Sequence, residues 1–230
     1  MRGDGDSRGH AVADNKPSSP PESAPLPSGT LEGSVTYEAN PKRPWIYGRY
    51  YIRDRKTGRL AEAVVCLTGG ELKARKDLPA VTHAIDQKNF LFEPETISIR
   101  AGDRVTFSNS DPQVHNVNSS SLEKFDVTVP PGGTSTVDFI KAGGIRRPVT
   151  LGCKFHSGMR AWIYVIDHPF HTVTAADGSF RFADVPPGKY TLHVVHPAGG
   201  LQTSQPVQVV AGKTLQIPLK ITPADRLTAN

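Results

Sequence analysis

Helical patterning is the most conspicuous gap in these 230 residues. No window carries an apolar face at i, i+3, i+4 and i+7 without a proline or glycine interrupting it, which argues against any substantial helical content. Long apolar runs are missing as well. Nothing approaches the ~18 consecutive apolar residues of a membrane-spanning helix, and no apolar core of a signal peptide follows Met1, so neither a transmembrane segment nor a leader is expected within this stretch. Charge of one sign is scarce. The 27 basic and 22 acidic residues leave a net charge of +5, and the pairs Lys42-Arg43 and Arg146-Arg147 are not the dense basic stripe that nucleic acid requires. Cysteine is limited to Cys66 and Cys153. A disulfide between them would consume the thiolate of a candidate metal site, so the expected accounting is one structural thiol and one ligand.

Turn formers and β-prone residues are abundant. Twenty prolines and twenty-one glycines, set among short Val/Thr/Ile/Tyr segments, predict an all-β protein with many turns. Residues 1–30 are Gly, Ser, Asp and Pro with few large apolar groups. They read as a disordered linker, because too little surface can be buried to offset the ordering entropy. Gly33–Tyr37, Tyr47–Arg53 and Ala63–Thr68 are predicted strands, the last stopped by Gly69-Gly70. From residue 79 to 167 the two-residue period recurs in Phe90–Pro94, Thr96–Ile99, Val105–Asn109, Val114–Val117, Phe125–Val129, Ser135–Phe139, Pro148–Cys153 and Ala161–Ile166, implying a sandwich of about seven or eight short strands. Beyond it, Asp177-Gly178 ahead of Ser179–Phe182 is a hairpin signal. Further strands are predicted at Tyr190–Val195, Gln205–Val210 and Leu215–Ile221, with 224–230 a tail.

The chemistry concentrates in Cys153-Lys154-Phe155-His156-Ser157-Gly158-Met159. Thiolate and thioether are soft ligands and imidazole suits copper, so this heptad supplies three of the four groups of a trigonal His₂Cys site with a weak axial Met. Taken alone, the trio reads equally as a buried free cysteine beside a surface histidine and a core methionine. His115, in the alternating run Val114-His115-Asn116-Val117, supplies a second imidazole at a separation that lets neighbouring strands converge on one metal. His168, His171, His193 and His196 are expected in surface or packing roles.

Together, Phe92-Glu93-Pro94, Gly102–Asn109, His115-Asn116-Val117 and Cys153-x₂-His156-x₂-Met159 resemble the cupredoxins, the type 1 blue copper proteins, with a short amicyanin-like ligand loop. The resemblance implies one copper held by His115, Cys153, His156 and Met159, with Asn116 tying the first ligand strand to the cysteine loop. Many short-loop relatives carry Pro where this chain has Phe155, so the Phe155 amide is expected to donate a second hydrogen bond to the Cys153 sulfur. The flanks, Tyr51–Leu67 and Ala176–Leu192, resemble the two halves of a transthyretin-like or carboxypeptidase-regulatory-like domain. The whole arrangement resembles proteins described as plastocyanin-like or methylamine-utilisation-like.

The expected fold is therefore an all-β cupredoxin Greek-key sandwich (79–167) inserted in, or joined to, a small transthyretin-like sandwich (31–78 and 168–223). The implied function is a non-enzymatic type 1 copper protein passing single electrons between redox partners. The alternative is a copper-binding scaffold or carrier whose transthyretin-like part docks a partner. Lys154, Arg160, Arg146 and Arg147 are expected near the His156 end, favouring a partner with an acidic docking surface. Resemblance to exported carriers implies a periplasmic or otherwise exported setting.

Overall fold

The computed structural model describes residues 1, 27–38, 56–70, 72, 74 and 78–225. Most of the expected linker, the strand expected at Tyr47–Arg53 and the tail beyond 225 lie outside the described residues. Among the described residues the regular secondary structure is nearly all strand, and no helix is long and apolar enough to cross a membrane.

Two strands come first, β1 (Gly29–Tyr37) and β2 (Val64–Thr68). Nine follow: β3 (Thr82–Lys88), β4 (Leu91–Glu93), β5 (Thr96–Arg100), β6 (Arg104–Asn109), β7 (His115–Ser119), β8 (Phe125–Val129), β9 (Thr134–Asp138), β10 (Val149–Gly152) and β11 (Arg160–Ile166). A single 3-10 turn, Gly144–Arg146, sits between β9 and β10. The chain closes with β12 (His171–Val173), β13 (Ser179–Val185), β14 (Gly188–His196), β15 (Leu201–Val209) and β16 (Thr214–Ile221). Besides the three-residue β12, the strand that sequence patterning had not marked is β3. Its only fully buried apolar side chain is Ile85, set among polar residues, so it carries no hydrophobic alternation to read.

Pairing sorts these strands into four sheets, ordered β13-β1-β16, β12-β2-β14-β15, β5-β11-β10-β7-β8 and β4-β3-β6-β9. The first two sheets combine strands from before residue 79 with strands from after residue 167. Thus β1 pairs antiparallel with β13 and parallel with β16, and β2 lies between β12 and β14. The Asp177-Gly178 turn feeds β13 into this arrangement. Gly178 has φ +75°, and a Cβ there would stand 2.6 Å from the Val35 carbonyl oxygen, so only glycine fits without a shift.

Side chains alternate between cores in the manner a strand dictates. In β11, Ala161, Ile163 and Val165 enter the core shared by the third and fourth sheets, while Tyr164 and Ile166 face the other way. In β2, Val65 and Leu67 enter the core of the first two sheets, while Val64 and Cys66 face outward. These outward faces meet in a third apolar cluster of Val64, Cys66, Ile145, Tyr164, Ile166 and Val195. The four sheets therefore stack as layers with three cores between them. Cys66 is a packing residue of this middle core. It is free and buried, and burial, followed by the nearby charge of Asp167, pushes its thiol up to about 12.

Candidate metal centre

The β7 strand and the loop from β10 to β11 converge at one end of the third sheet. Gly152 pairs with both Asn118 of β7 and Arg160 of β11, so the loop 153–159 leaves and re-enters the sheet beside the first residues of β7. The ligating atoms of His115, Cys153 and His156 lie within 4.8 Å of one another, the one such group among the described residues. Nδ1 of His115 stands 3.0 Å from Nδ1 of His156, and Cys153 Sγ is 3.7 Å from that same His156 nitrogen. His115 is fully buried, Cys153 and Met159 are nearly so, and Met159 packs in the same core as Cys153. The Met159 amide donates to the His156 carbonyl at 3.0 Å, closing the loop in a turn that turns the thioether inward.

Asp111 fixes which nitrogen of His115 is offered. Its Oδ2 accepts from His115 Nε2 at 2.8 Å, and a carboxylate acceptor places the ring proton on Nε2, leaving the Nδ1 lone pair free toward Cys153 and His156. The same carboxylate accepts the amides of Asn89 at 2.7 Å and Phe90 at 2.9 Å, residues whose φ angles of 54° and 60° put consecutive non-glycines in the left-handed region. Burial alone would raise the Asp111 carboxyl. The Phe90, His115 and Asn89 donors outweigh it, and the group is held below its ordinary value. Phe90, anchored in this way, sets its ring edge-on to both imidazoles, at 5.6 Å from His115 and 4.9 Å from His156. Neither Asp111 nor Phe90 was singled out in the sequence. Asp111 falls in the gap between the strands predicted at Val105–Asn109 and Val114–Val117, and Phe90 only heads the run Phe90–Pro94.

Asn116 bridges the two ligand segments. Its Nδ2 donates to Asp126 Oδ1 at 2.7 Å and to the Val127 carbonyl at 3.0 Å, and its Oδ1 accepts the Lys154 amide at 3.4 Å. Its own amide donates to Cys153 Sγ at 3.4 Å. The second hydrogen bond to sulfur expected from the Phe155 amide is not among the bonds of the described residues, and the Phe155 side chain stands 56% exposed. The cations expected around this end are also redistributed. Lys154 is ion-paired with Asp126, and Arg146 and Arg147 flank the junction between the inner sheets, leaving Arg160 beside the loop. Phe90, against both imidazoles, and Val114 and Phe155, the chain neighbours of His115 and His156, are apolar and exposed.

His168, His171, His193 and His196 take packing and hydrogen-bonding roles. His193 bonds Thr68 Oγ1 at 2.8 Å, His168 accepts the Phe170 amide at 3.2 Å, His171 bonds Ser98, and buried His196 accepts the Gly199 amide at 3.0 Å.

The family model of the carboxypeptidase regulatory-like domain matches residues 160–222, which begins at β11. No curated protein matches the chain. Among solved structures, amicyanin from Paracoccus versutus is 20% identical with a TM-score of 0.33, over 44% of this chain and 96% of that one. A purple cupredoxin from Nitrosopumilus maritimus is 20% identical with a TM-score of 0.32, over 36% of this chain and 98% of that one. A copper-containing nitrite reductase from Thermus scotoductus is 20% identical with a TM-score of 0.35, over 44% of this chain but 25% of that one. The chain is thus similar to carboxypeptidase regulatory-like domains in its last third and, over less than half its length, to amicyanin and other cupredoxins.

Proposed function

We propose that this protein binds one copper ion through His115, Cys153, His156 and Met159 and carries single electrons between redox partners. The observation that supports it best is the meeting of two imidazole Nδ1 atoms and a thiol sulfur within 4.8 Å, with the tautomer of one imidazole set by Asp111. Two nitrogens 3.0 Å apart share at most one hydrogen between them, so the cluster is a donor set suited to a cation. Its mix of imidazole and thiolate, beside a thioether, suits copper. Copper bound there supplies a one-electron Cu(II)/Cu(I) couple. The chain contributes rigidity: His115 is held by Asp111, Cys153 by the Asn116 amide, and the loop by the Asn116 side chain, an arrangement that resists rearrangement between oxidation states. With His115, Cys153 and Met159 buried, the partly exposed His156 is the route for electrons. The burial of His115, Cys153 and Met159 favours a carrier over an enzyme, since it leaves His156 alone among the four partly open.

A redox partner protein would dock over His156 on the apolar rim of Phe90, Val114 and Phe155, with Arg160 the cation left to meet an acidic surface. Transfer rates that rise steeply as salt is lowered would contradict this mainly apolar docking. We infer further that residues 79–167 are a copper domain inserted between two parts, 31–78 and 168–223, of a transthyretin-like host. The shared sheets of β1 with β13 and β16, and of β2 with β12 and β14, support this. An exported, periplasmic setting fits such a carrier.

The test is an anaerobic copper titration followed by absorbance and EPR. The expected outcome is one equivalent bound with an intense band near ~600 nm, lost in Cys153→Ser, as a copper–thiolate centre requires. Colourless, rapidly exchanging copper would favour the second reading, a copper-carrying scaffold.

A further inference from the structure

Where the inner sheets meet, their packing leaves a cavity of about 650 Å³, a volume typical of small-molecule sites at domain interfaces. Its walls come from the 3-10 turn and β11 on one side and from β14 and β15 on the other. Ile145 and Val195 give it an apolar surface continuous with the middle core, and Trp162 adds a half-buried indole. The polar groups are unusual in what they lack. Tyr164 is 2% exposed and lines the cavity, yet its hydroxyl has no hydrogen-bond partner among the described residues. The ring is buried but the hydroxyl opens on the cavity, where it is a donor left for an acceptor. Burial pushes the Tyr164 phenol up, which keeps it a neutral donor.

Charge points the same way. Among the described residues the exposed Arg146 forms no ion pair and no carboxylate lines the cavity. An adjoining cavity of about 520 Å³ shares Arg146 and adds Arg147, again without an acidic side chain. His193, between the two, has its Nε2 engaged by Thr68, and burial followed by the charge of Arg146 lowers its pKa, so it adds no second positive charge at neutral pH. One uncompensated guanidinium, one neutral phenol donor and a flat indole, against apolar walls, complement a flat apolar body that carries an anion.

We propose that the cavity between the inner sheets binds a small aromatic carboxylate, its ring against Trp162 and its carboxylate taken by Arg146 and the Tyr164 hydroxyl. The site lies away from the metal ligands. Tyr164 is four residues along β11 from Arg160, roughly 13 Å at strand spacing. The proposal is therefore independent of copper.

The experiment is calorimetric titration of the full-length, copper-free protein with 2-naphthoate and with its neutral analogue 2-naphthamide. The expected result is saturable binding of 2-naphthoate at one site, about tenfold or more tighter than 2-naphthamide, because the amide cannot supply the charge-assisted bond to Arg146. Arg146→Gln is expected to weaken 2-naphthoate about tenfold while leaving 2-naphthamide unchanged, and Tyr164→Phe to weaken 2-naphthoate severalfold. Arg146 is exposed, so its substitution decides the matter even if Tyr164→Phe disturbs the core. No saturable binding of 2-naphthoate, equal affinity for both compounds, or indifference to Arg146→Gln would each overturn the proposal.

Discussion

Asp111 carries more of the candidate metal centre than any residue the motif itself contains. One carboxylate receives three donors: the Nε2 of His115 and the amides of Asn89 and Phe90. Removing it leaves a fully buried imidazole N–H without a partner and releases a turn whose two residues sit at positive φ. Asp111→Ala is therefore expected to cost about 2–3 kcal/mol in denaturant unfolding of the copper-free protein, the usual penalty for stranding buried donors. The same substitution is expected to weaken copper binding about tenfold or more, since the orienting partner of a ligand histidine is lost. A protein as stable as the parent, with copper affinity unchanged, would show that Asp111 orients nothing.

Individual strands explain how the sandwich with the candidate metal centre and its neighbour become one body. β11 serves two cores at once, because its period of two sends Ala161, Ile163 and Val165 one way and Tyr164 and Ile166 the other. β2 does the same with Val65 and Leu67 against Val64 and Cys66. A strand buried on both faces reads as a near-continuous apolar run, and Ala161-Trp162-Ile163-Tyr164-Val165-Ile166 is such a run. Ile166, 1% exposed, lies in the middle core away from the metal ligands. Ile166→Ala is expected to destabilise the whole chain by about 2–4 kcal/mol, comparable to a deletion inside either sandwich. Calorimetry should show one unfolding transition shifted down as a unit. A destabilisation below ~1 kcal/mol, or two separating transitions, would mean that the layers fold independently.

Across the whole molecule, the contact between β5 and β12 makes stability depend on pH. His171 bonds Ser98 across this contact, and burial, followed by the neighbouring His168, lowers its pKa from 6.5 to about 4. His196 is lowered to about 4 by burial as well. A histidine whose folded pKa lies below its unfolded one binds fewer protons when folded, so stability falls as pH drops from about 6.5 to about 4 and then levels. The Asp103 carboxyl acts lower down. Burial alone would raise it, but the Val81 and Arg100 amides, His83 and the Arg100 charge bring it below its ordinary 3.8, so its contribution is present above that value and is lost on further acidification. The thermal midpoint of the copper-free protein is expected to decline over pH 6.5 to 4, and to decline less in His171→Gln, with the His196 share remaining. A midpoint flat across that window in the parent protein would contradict the assignment.

The sequence by itself determined the all-β character and most strand positions, because a two-residue apolar period broken by glycine and proline is a local property of the chain. It also determined the grouping of His115 with the Cys153–Met159 heptad, since the identity and spacing of soft donors limit what chemistry they can do. β3 escaped notice for the same physical reason in reverse: one apolar residue, Ile85, gives no period. Only the tertiary structure decided the rest. Asp111 and Phe90 are ordinary loop residues until folding lays one carboxylate against both the His115 imidazole and a strained turn. Lys154 becomes a paired cation only because β8 brings Asp126 beside it. Among the described residues the sulfur receives the Asn116 amide without the second amide expected from Phe155, a matter of where one backbone N–H points. The cavity beside Tyr164 belongs to neither sandwich alone, because it exists only where two sheets from distant parts of the chain fail to close over an unpartnered hydroxyl.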